Sequence, residues 1–186
     1  FDNFNWGIEL DAAENNTITN STFINNDNYG IFMDDDSNYN NINLNNFTRN
    51  EQYGIYFDPG ASNKATFNNF TENHFDSNPT YAIYMDAESE NNTVWRNNFI
   101  NNSASNNQSF SADTTNVFNL SSQGNFFDDY NDSGEGCADT SPVDGICDAY
   151  YLLAGSGLNN DSHPKLQEII FGANNAPNTT LIYLDY

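Results

Sequence analysis

The chain has 186 residues, with 4 Lys and Arg against 26 Asp and Glu, a net charge of −22 and a pI near 4.1. That balance excludes a nucleic-acid binder, which needs basic side chains for its phosphate contacts, and argues against an anionic membrane surface as partner. Mean hydropathy is −0.71 and no apolar run reaches spanning length, yet 15% of the residues are aromatic, too many for a disordered chain.

With no initiator Met and no signal peptide, the expectation is a mature or trimmed product. Asn accounts for 37 residues, about one in five. Asn is a poor helix former that tolerates turns and left-handed backbone, so the composition predicts many short strands and almost no helix.

In chain order, four segments share one pattern: Trp6-Gly7-Ile8-Glu9-Leu10-Asp11, Tyr29-Gly30-Ile31-Phe32-Met33-Asp34, Tyr53-Gly54-Ile55-Tyr56-Phe57-Asp58 and Tyr81-Ala82-Ile83-Tyr84-Met85-Asp86. Their starts lie 23, 24 and 28 residues apart. Between them an apolar residue is followed five later by Phe: Ile18/Phe23, Ile42/Phe47, Ala65/Phe70 and Val94/Phe99. Asn16, Asn40, Asn63 and Asn92 precede these pairs, and Asn26, Asn50, Asn73 and Asn102 follow them. The excess in the last spacing is expected between Phe70 and Tyr81, as a bulging loop that contains Pro79.

A period of 22 to 24 with short alternating apolar stretches suits one turn of a parallel β-solenoid. The Ile and Leu/Met/Phe of each motif, from Ile8 and Leu10 to Ile83 and Met85, would point inward with a Phe column beside them. Asn would stack amide on amide at the corners. A leucine-rich horseshoe shares the period but needs a Leu framework that is absent.

The Gly-Ile-x-x-Asp and Asn-x-Phe pattern resembles the β-helix repeats of carbohydrate-binding and sugar-hydrolase (CASH) modules. It is most similar to NosD-like proteins and the β-helix surface proteins of archaea. The resemblance covers residues 1 to about 166. It implies an all-β fold: a right-handed, single-stranded parallel β-helix of about five coils with a disulfide-closed C-terminal loop cap. The divisions expected are coils over 1–123, a disulfide-stapled acidic cap over 124–172, and a linker with a terminal β-strand over 173–186. The run from Gly124-Asn125-Phe126-Phe127 through Asp144-Gly145-Ile146-Cys147-Asp148 to His163-Pro164 resembles the closing element of those surface proteins. His163 replaces the usual aromatic before Pro164.

Cys137 and Cys147, the only cysteines, are expected to form one disulfide worth about 2 to 3 kcal/mol by loop entropy. A soft-metal site would want more thiol or imidazole than His74 and His163 add. Asp132, Glu135, Asp139, Asp144 and Asp148 crowd carboxylates into seventeen residues. Hard oxygens on a Gly-containing loop suit Ca²⁺, against the alternative of a solvated acidic loop; the spacing is not that of an EF-hand.

Asp11, Asp34, Asp58 and Asp86 should stack one per coil. They read as solvated turn caps or as a ladder of cation or sugar-hydroxyl contacts, with Asp34-Asp35-Asp36 the densest point. No enzyme is expected: only Arg49, Arg96, Lys64 and Lys165 could serve as base or acid-group clamp, and a chain of this charge repels uronic-acid polymers. Exposed Tyr and Trp could instead stack on sugar rings.

Eleven Asn-x-Ser/Thr sequons, at Asn15, Asn20, Asn46, Asn69, Asn91, Asn101, Asn107, Asn119, Asn131, Asn160 and Asn178, imply N-linked glycans if the chain crosses a glycosylating membrane. Asn46 and Asn69 take equivalent repeat positions in this alignment. The expectation is a structural extracellular glycoprotein of a cell-surface filament, sheath or surface layer. Its partners would be copies of itself, joined through solenoid ends or the strand Thr179–Tyr186. A carbohydrate-binding or adhesin module is the alternative.

Overall fold

The structure is a computed structural model describing residues 1–60, 62–103, 107–140 and 142–171. Its sixteen short strands form three parallel sheets and one small antiparallel pair. Sheet one stacks β1 (Trp6–Asp11), β4 (Tyr29–Asp34), β7 (Tyr53–Asp58), β10 (Tyr81–Met85) and β13 (Ser109–Ser111). Sheet two stacks β2 (Thr17–Thr19), β5 (Asn41–Asn43), β8 (Asn69–Thr71) and β11 (Thr93–Trp95). Sheet three stacks β3 (Thr22–Ile24), β6 (Asn46–Thr48), β9 (His74–Asp76), β12 (Asn98–Ile100) and β14 (Phe126–Phe127). The result is the expected all-β parallel solenoid of about five turns.

Each coil contributes one residue to each of several buried columns. Ile8, Ile31, Ile55 and Ile83 are in register in sheet one, beside Leu10, Met33, Phe57 and Met85. Sheet three carries a stack of near-parallel rings, Phe23–Phe47–Phe75–Phe99–Phe127, with centroids 4.8 to 5.2 Å apart. This stack explains the motif's Gly: a Cβ built on Gly54 would lie 2.7 Å from a Phe75 ring carbon and 2.6 Å from the Ala82 carbonyl oxygen.

The corners follow a rule that the repeat motif did not show. A residue in left-handed backbone sits just before an inward Asn, three times per coil, except that Ser21 takes the place of one Asn in the first coil. Asn15, Tyr39, Phe67 and Asn91 form one such column, with φ between 55° and 58°. Asn20, Leu44, Glu72 and Arg96 form the second, and Asn25, Arg49, Ser77 and Asn101 the third. The Asn side chains that follow make three internal ladders: Asn16–Asn40–Asn68–Asn92–Asn116, then Asn45–Asn73–Asn97–Asn125, then Asn26–Asn50–Asn78–Asn102. Within a ladder each Oδ1 accepts the backbone N–H, and generally the Nδ2, of the Asn one coil nearer the N-terminus, while Nδ2 reaches a carbonyl in the coil before. Turn amides that would otherwise be orphaned inside the core are satisfied.

One coil differs from the expected alignment. Phe70 pairs with Ile42 and Val94, and Phe75, not Phe70, stands in the Phe column. The Asn paired with Asn40 is Asn68, not Asn63, and Asn73 belongs to the second ladder. The extra residues therefore lie between Asp58 and Phe67, not around Pro79. There Asn63 and the Lys64 amide bind the carboxylates of Asp35 and Asp36.

Ladders that send donors toward the C-terminus must end on groups that accept. The second ends on Asp161, whose Oδ2 accepts both the amide and the Nδ2 of Asn125. The third passes to Gln108, which donates to Asp128 and Asp129. Tyr151 continues the Phe column on Phe127, and β15 (Tyr151–Leu152) pairs with β16 (Asn160–Asp161). Cys137 and Cys147 are bonded, with Cα atoms 4.8 Å apart, in the loop before this pair. β14 shows that the coils run on past residue 123 into the segment expected to be cap.

Candidate functional site

The outward positions of sheet one hold aromatic residues in two registered rows. Trp6, Tyr29, Tyr53 and Tyr81 form one; Phe32, Tyr56, Tyr84 and Phe110 form the other, with Glu9 ahead of them in the first coil. All eight rings are half-buried, each with part of its surface in solvent. They touch along and across the rows: Tyr29–Tyr56 at 4.7 Å, Tyr53–Tyr56 at 4.8 Å and Tyr84–Phe110 at 4.5 Å. The pleat puts side chains from five stacked strands on one face, so a continuous aromatic surface runs along the solenoid axis.

Carboxylates line one edge of this surface. Asp11, Asp34 and Asp58 are in register, and Asp86 follows Met85 as Asp58 follows Phe57. Burial raises the phenol pKa of Tyr29, Tyr53, Tyr56 and Tyr84. The charge on Asp58 adds to this at Tyr29, Tyr56 and Tyr84. The phenols thus stay protonated, able to donate and to accept, well above neutral pH. Burial also raises the pKa of Asp86, against hydrogen bonds from Ser89 and Glu88.

The other candidate residues lie elsewhere. The five proposed calcium ligands are engaged by their own loops. Asp132 accepts the amides of Gly134 and Glu135, and Glu135 accepts that of Asn131. Asp139 accepts those of Asp144 and Gly145, Asp144 that of Ile146, and Asp148 that of Thr140. Among the described residues no three His, Cys, Asp or Glu side chains gather as a metal-binding group. The calcium expectation therefore gains no donor cluster from the geometry.

Of the sequons, Asn15, Asn20, Asn91, Asn101 and Asn160 are exposed. Asn46, Asn69, Asn107, Asn119 and Asn131 are half-buried, and Asn178 lies outside the described residues. Asn46 and Asn69 are not equivalent: Asn46 pairs with His74 in sheet three and Asn69 with Asn41 in sheet two. Lys64 pairs with Glu90 and Arg96 with Glu72. Arg49 stands at a corner, and Lys165 reaches the Ser122 carbonyl.

A cleft of about 900 Å³ lies over sheet three, where the backbone of Ile169 is held by both side-chain polar atoms of Asn98 and Glu168 stands 3.6 Å from His74. Its lining mixes amides such as Asn45, Asn46 and Asn98 with the apolar Leu44, Ile170 and Phe171, and has no aromatic array.

The family model described as periplasmic copper-binding protein (NosD) matches residues 1–132, the coils whose columns and ladders are set out above. The chain belongs to the NosD family. No curated protein and no solved structure matches it. Among the described residues no helix is long and apolar enough to cross a membrane.

The family's description names copper, which takes imidazole, thiolate or thioether ligands. This NosD-family chain has two His, two Cys and two Met. The cysteines are joined to each other, and Met33 and Met85 are fully buried in separate coils of the core. His74 faces the cleft over sheet three, whereas His163 lies in the cap beside Ser162 and Asn119. These residues do not fit a resident copper ion.

Proposed function

We propose that this NosD-family chain is an extracytoplasmic β-solenoid that holds a polysaccharide along the aromatic face of sheet one, without chemistry of its own. The observation that carries the reading is the eight-ring surface. Soluble proteins rarely leave a contiguous apolar patch exposed unless it binds something. Sugar rings have apolar faces that stack on aromatics and hydroxyls that pair with phenols and carboxylates. A face repeating at about 4.8 Å per coil suits a linear ligand better than a compact one. The family's periplasmic description supports a place outside the cytoplasm. The disulfide, which persists in oxidising compartments, supports it as well.

A filament or surface-layer role depends on the solenoid ends and on residues 178–186, which lie outside the described residues. The aromatic face supports binding more directly. Affinity electrophoresis against a panel of soluble polysaccharides is the test, with Tyr56→Ala and Tyr84→Ala as variants. Removing a central ring should weaken retention about tenfold or more, since buried aromatic anchors at interfaces cost over ~1 kcal/mol when truncated. Retention by no polysaccharide, or equal retention by both variants, refutes the reading.

A further inference from the structure

We infer that the polysaccharide held on this face is cationic, an amino-sugar polymer whose ammonium groups sit between the rings and the Asp column; the inference rests on the glycan-binding reading above. Two of the Asp residues lie two residues beyond a ring of the second row within one strand, Phe32 to Asp34 and Tyr56 to Asp58, so the pleat puts ring and carboxylate on the same side; Asp86 follows Tyr84 at the same spacing, just past the end of β10. The Tyr56 hydroxyl donates to Asp58 at 3.5 Å. Glu9 adds a further carboxylate in the first coil, at the register position of Phe32.

No Lys, Arg or His among the described residues forms an ion pair with any of these four Asp residues. The partners they do have are local and neutral. Asp34 accepts the Asp35 amide at 2.9 Å, and Asp86 accepts the Ser89 hydroxyl at 2.7 Å and the Glu88 amide at 3.2 Å. Carboxylates one coil apart repel one another, and either water or a cation along the column relieves that repulsion. The chain as a whole, at −22, does not supply one.

The ligand that answers all of this has a flat apolar face for the rings and one positive charge per sugar. An ammonium over a phenol gains cation–π attraction, and beside a carboxylate a charge-assisted hydrogen bond. A uronic-acid polymer meets repulsion here, and a neutral glycan leaves the carboxylate column unrelieved. A simple metal ion uses the column but not the rings.

Glucosamine oligomers and N-acetylglucosamine oligomers of equal length separate charge from shape, because acetylation removes the ammonium. Calorimetric titration of the full chain should show the glucosamine oligomer binding about tenfold tighter at low salt, a preference that shrinks at about 0.5 M NaCl as exposed charges are screened. Asp58→Asn, at an exposed carboxylate with no role in the core, should weaken binding of the glucosamine oligomer more than binding of the acetylated one and so erase most of that preference. Equal affinity for the two oligomers, or a preference indifferent to both salt and Asp58→Asn, overturns the inference and leaves the glycan reading standing. Binding of neither oligomer, together with no retention by neutral polysaccharides, overturns both.

Discussion

Replacing Asn73 with Ala tests the idea that the amide ladders, and not the apolar columns alone, hold the coils in register. Asn73 is fully buried. Its Oδ1 accepts the backbone amide of Asn45 at 3.0 Å and the Asn45 Nδ2 at 3.1 Å. Its Nδ2 donates to the Ile42 carbonyl at 2.8 Å and to Asn97 Oδ1 at 3.1 Å. After truncation the Asn45 side chain keeps the Ile18 carbonyl, and Asn97 Oδ1 keeps the Asn73 backbone amide. The Asn45 backbone amide has nothing left. One orphaned buried donor costs about 1 to 3 kcal/mol and each of the three further lost bonds about 0.5 to 1.5, which places the change at about 2.5 kcal/mol or more. For a chain of this length that lowers Tm by at least about 5 °C, read by circular dichroism. Asn73→Asp should be worse, because it turns a carboxylate oxygen toward the Ile42 carbonyl and Asn97 Oδ1. A drop of less than about 2 °C for Asn73→Ala, or an Asp variant as stable as the parent, refutes the ladder argument.

Two further outcomes follow from the same geometry. Leu44 sits exposed in left-handed backbone at φ 54°, in the corner column that Asn20 occupies one coil earlier; Leu44→Asn should gain about 1 kcal/mol and raise Tm, and a lower Tm contradicts the corner rule. Burial pushes the Asp161 carboxyl up to about 6 although three N–H donors pull the other way, and burial raises Asp129 and Asp86 as well. A carboxyl raised in the folded state binds its proton more tightly there. Its stabilisation is therefore present below the ordinary carboxylate range and is lost as pH rises through about 6, about 3 kcal/mol for Asp161. Melting should occur at a higher temperature at pH 5 than at pH 8, with Asp161→Asn narrowing the gap; a Tm that climbs across that window contradicts it.

The solenoid was legible because its period is written in residues with strong preferences. A Tyr-Gly-Ile-x-x-Asp segment returns at nearly constant spacing, and alternation sends its Ile inward. The third coil departs from the expected alignment for a physical reason. Phe70 and Phe75 are both Phe, while their counterparts in the second coil are Ile42 and Phe47. An apolar pair five apart, Ala65 and Phe70, therefore imitated the true pair, Phe70 and Phe75. The corners carry the unambiguous register, since the inward Asn recur at steps of five, as in Asn40, Asn45 and Asn50 or Asn68, Asn73 and Asn78. Ser21 breaks that run in the first coil and hid the second ladder. Asp161 was out of reach, because its partner Asn125 is 36 residues away across a disulfide loop.

The aromatic face shows how one repeat can carry stability and recognition at once. In Tyr53-Gly54-Ile55-Tyr56-Phe57-Asp58, Gly54, Ile55 and Phe57 are buried, while Tyr53, Tyr56 and Asp58 face out. The inward set is tightly constrained: Gly54 by the ring of Phe75 and the backbone of Ala82, Ile55 by Ile31 and Ile83 in its column. The outward set has no packing partner that demands aromatics, and Glu9 shows that the second row tolerates a charge. Sheets two and three obey the same pleat, yet their outward rows are mostly polar: Thr17, Asn41, Asn69 and Thr93 with Thr19, Asn43, Thr71 and Trp95, and Thr22, Asn46, His74 and Asn98 with Ile24, Thr48, Asp76 and Ile100. Aromatics at eight outward positions of sheet one are therefore not a by-product of building a coil. Folding requires only the inward half of the motif, so the outward half, with its uncompensated Asp column, is where binding is to be sought.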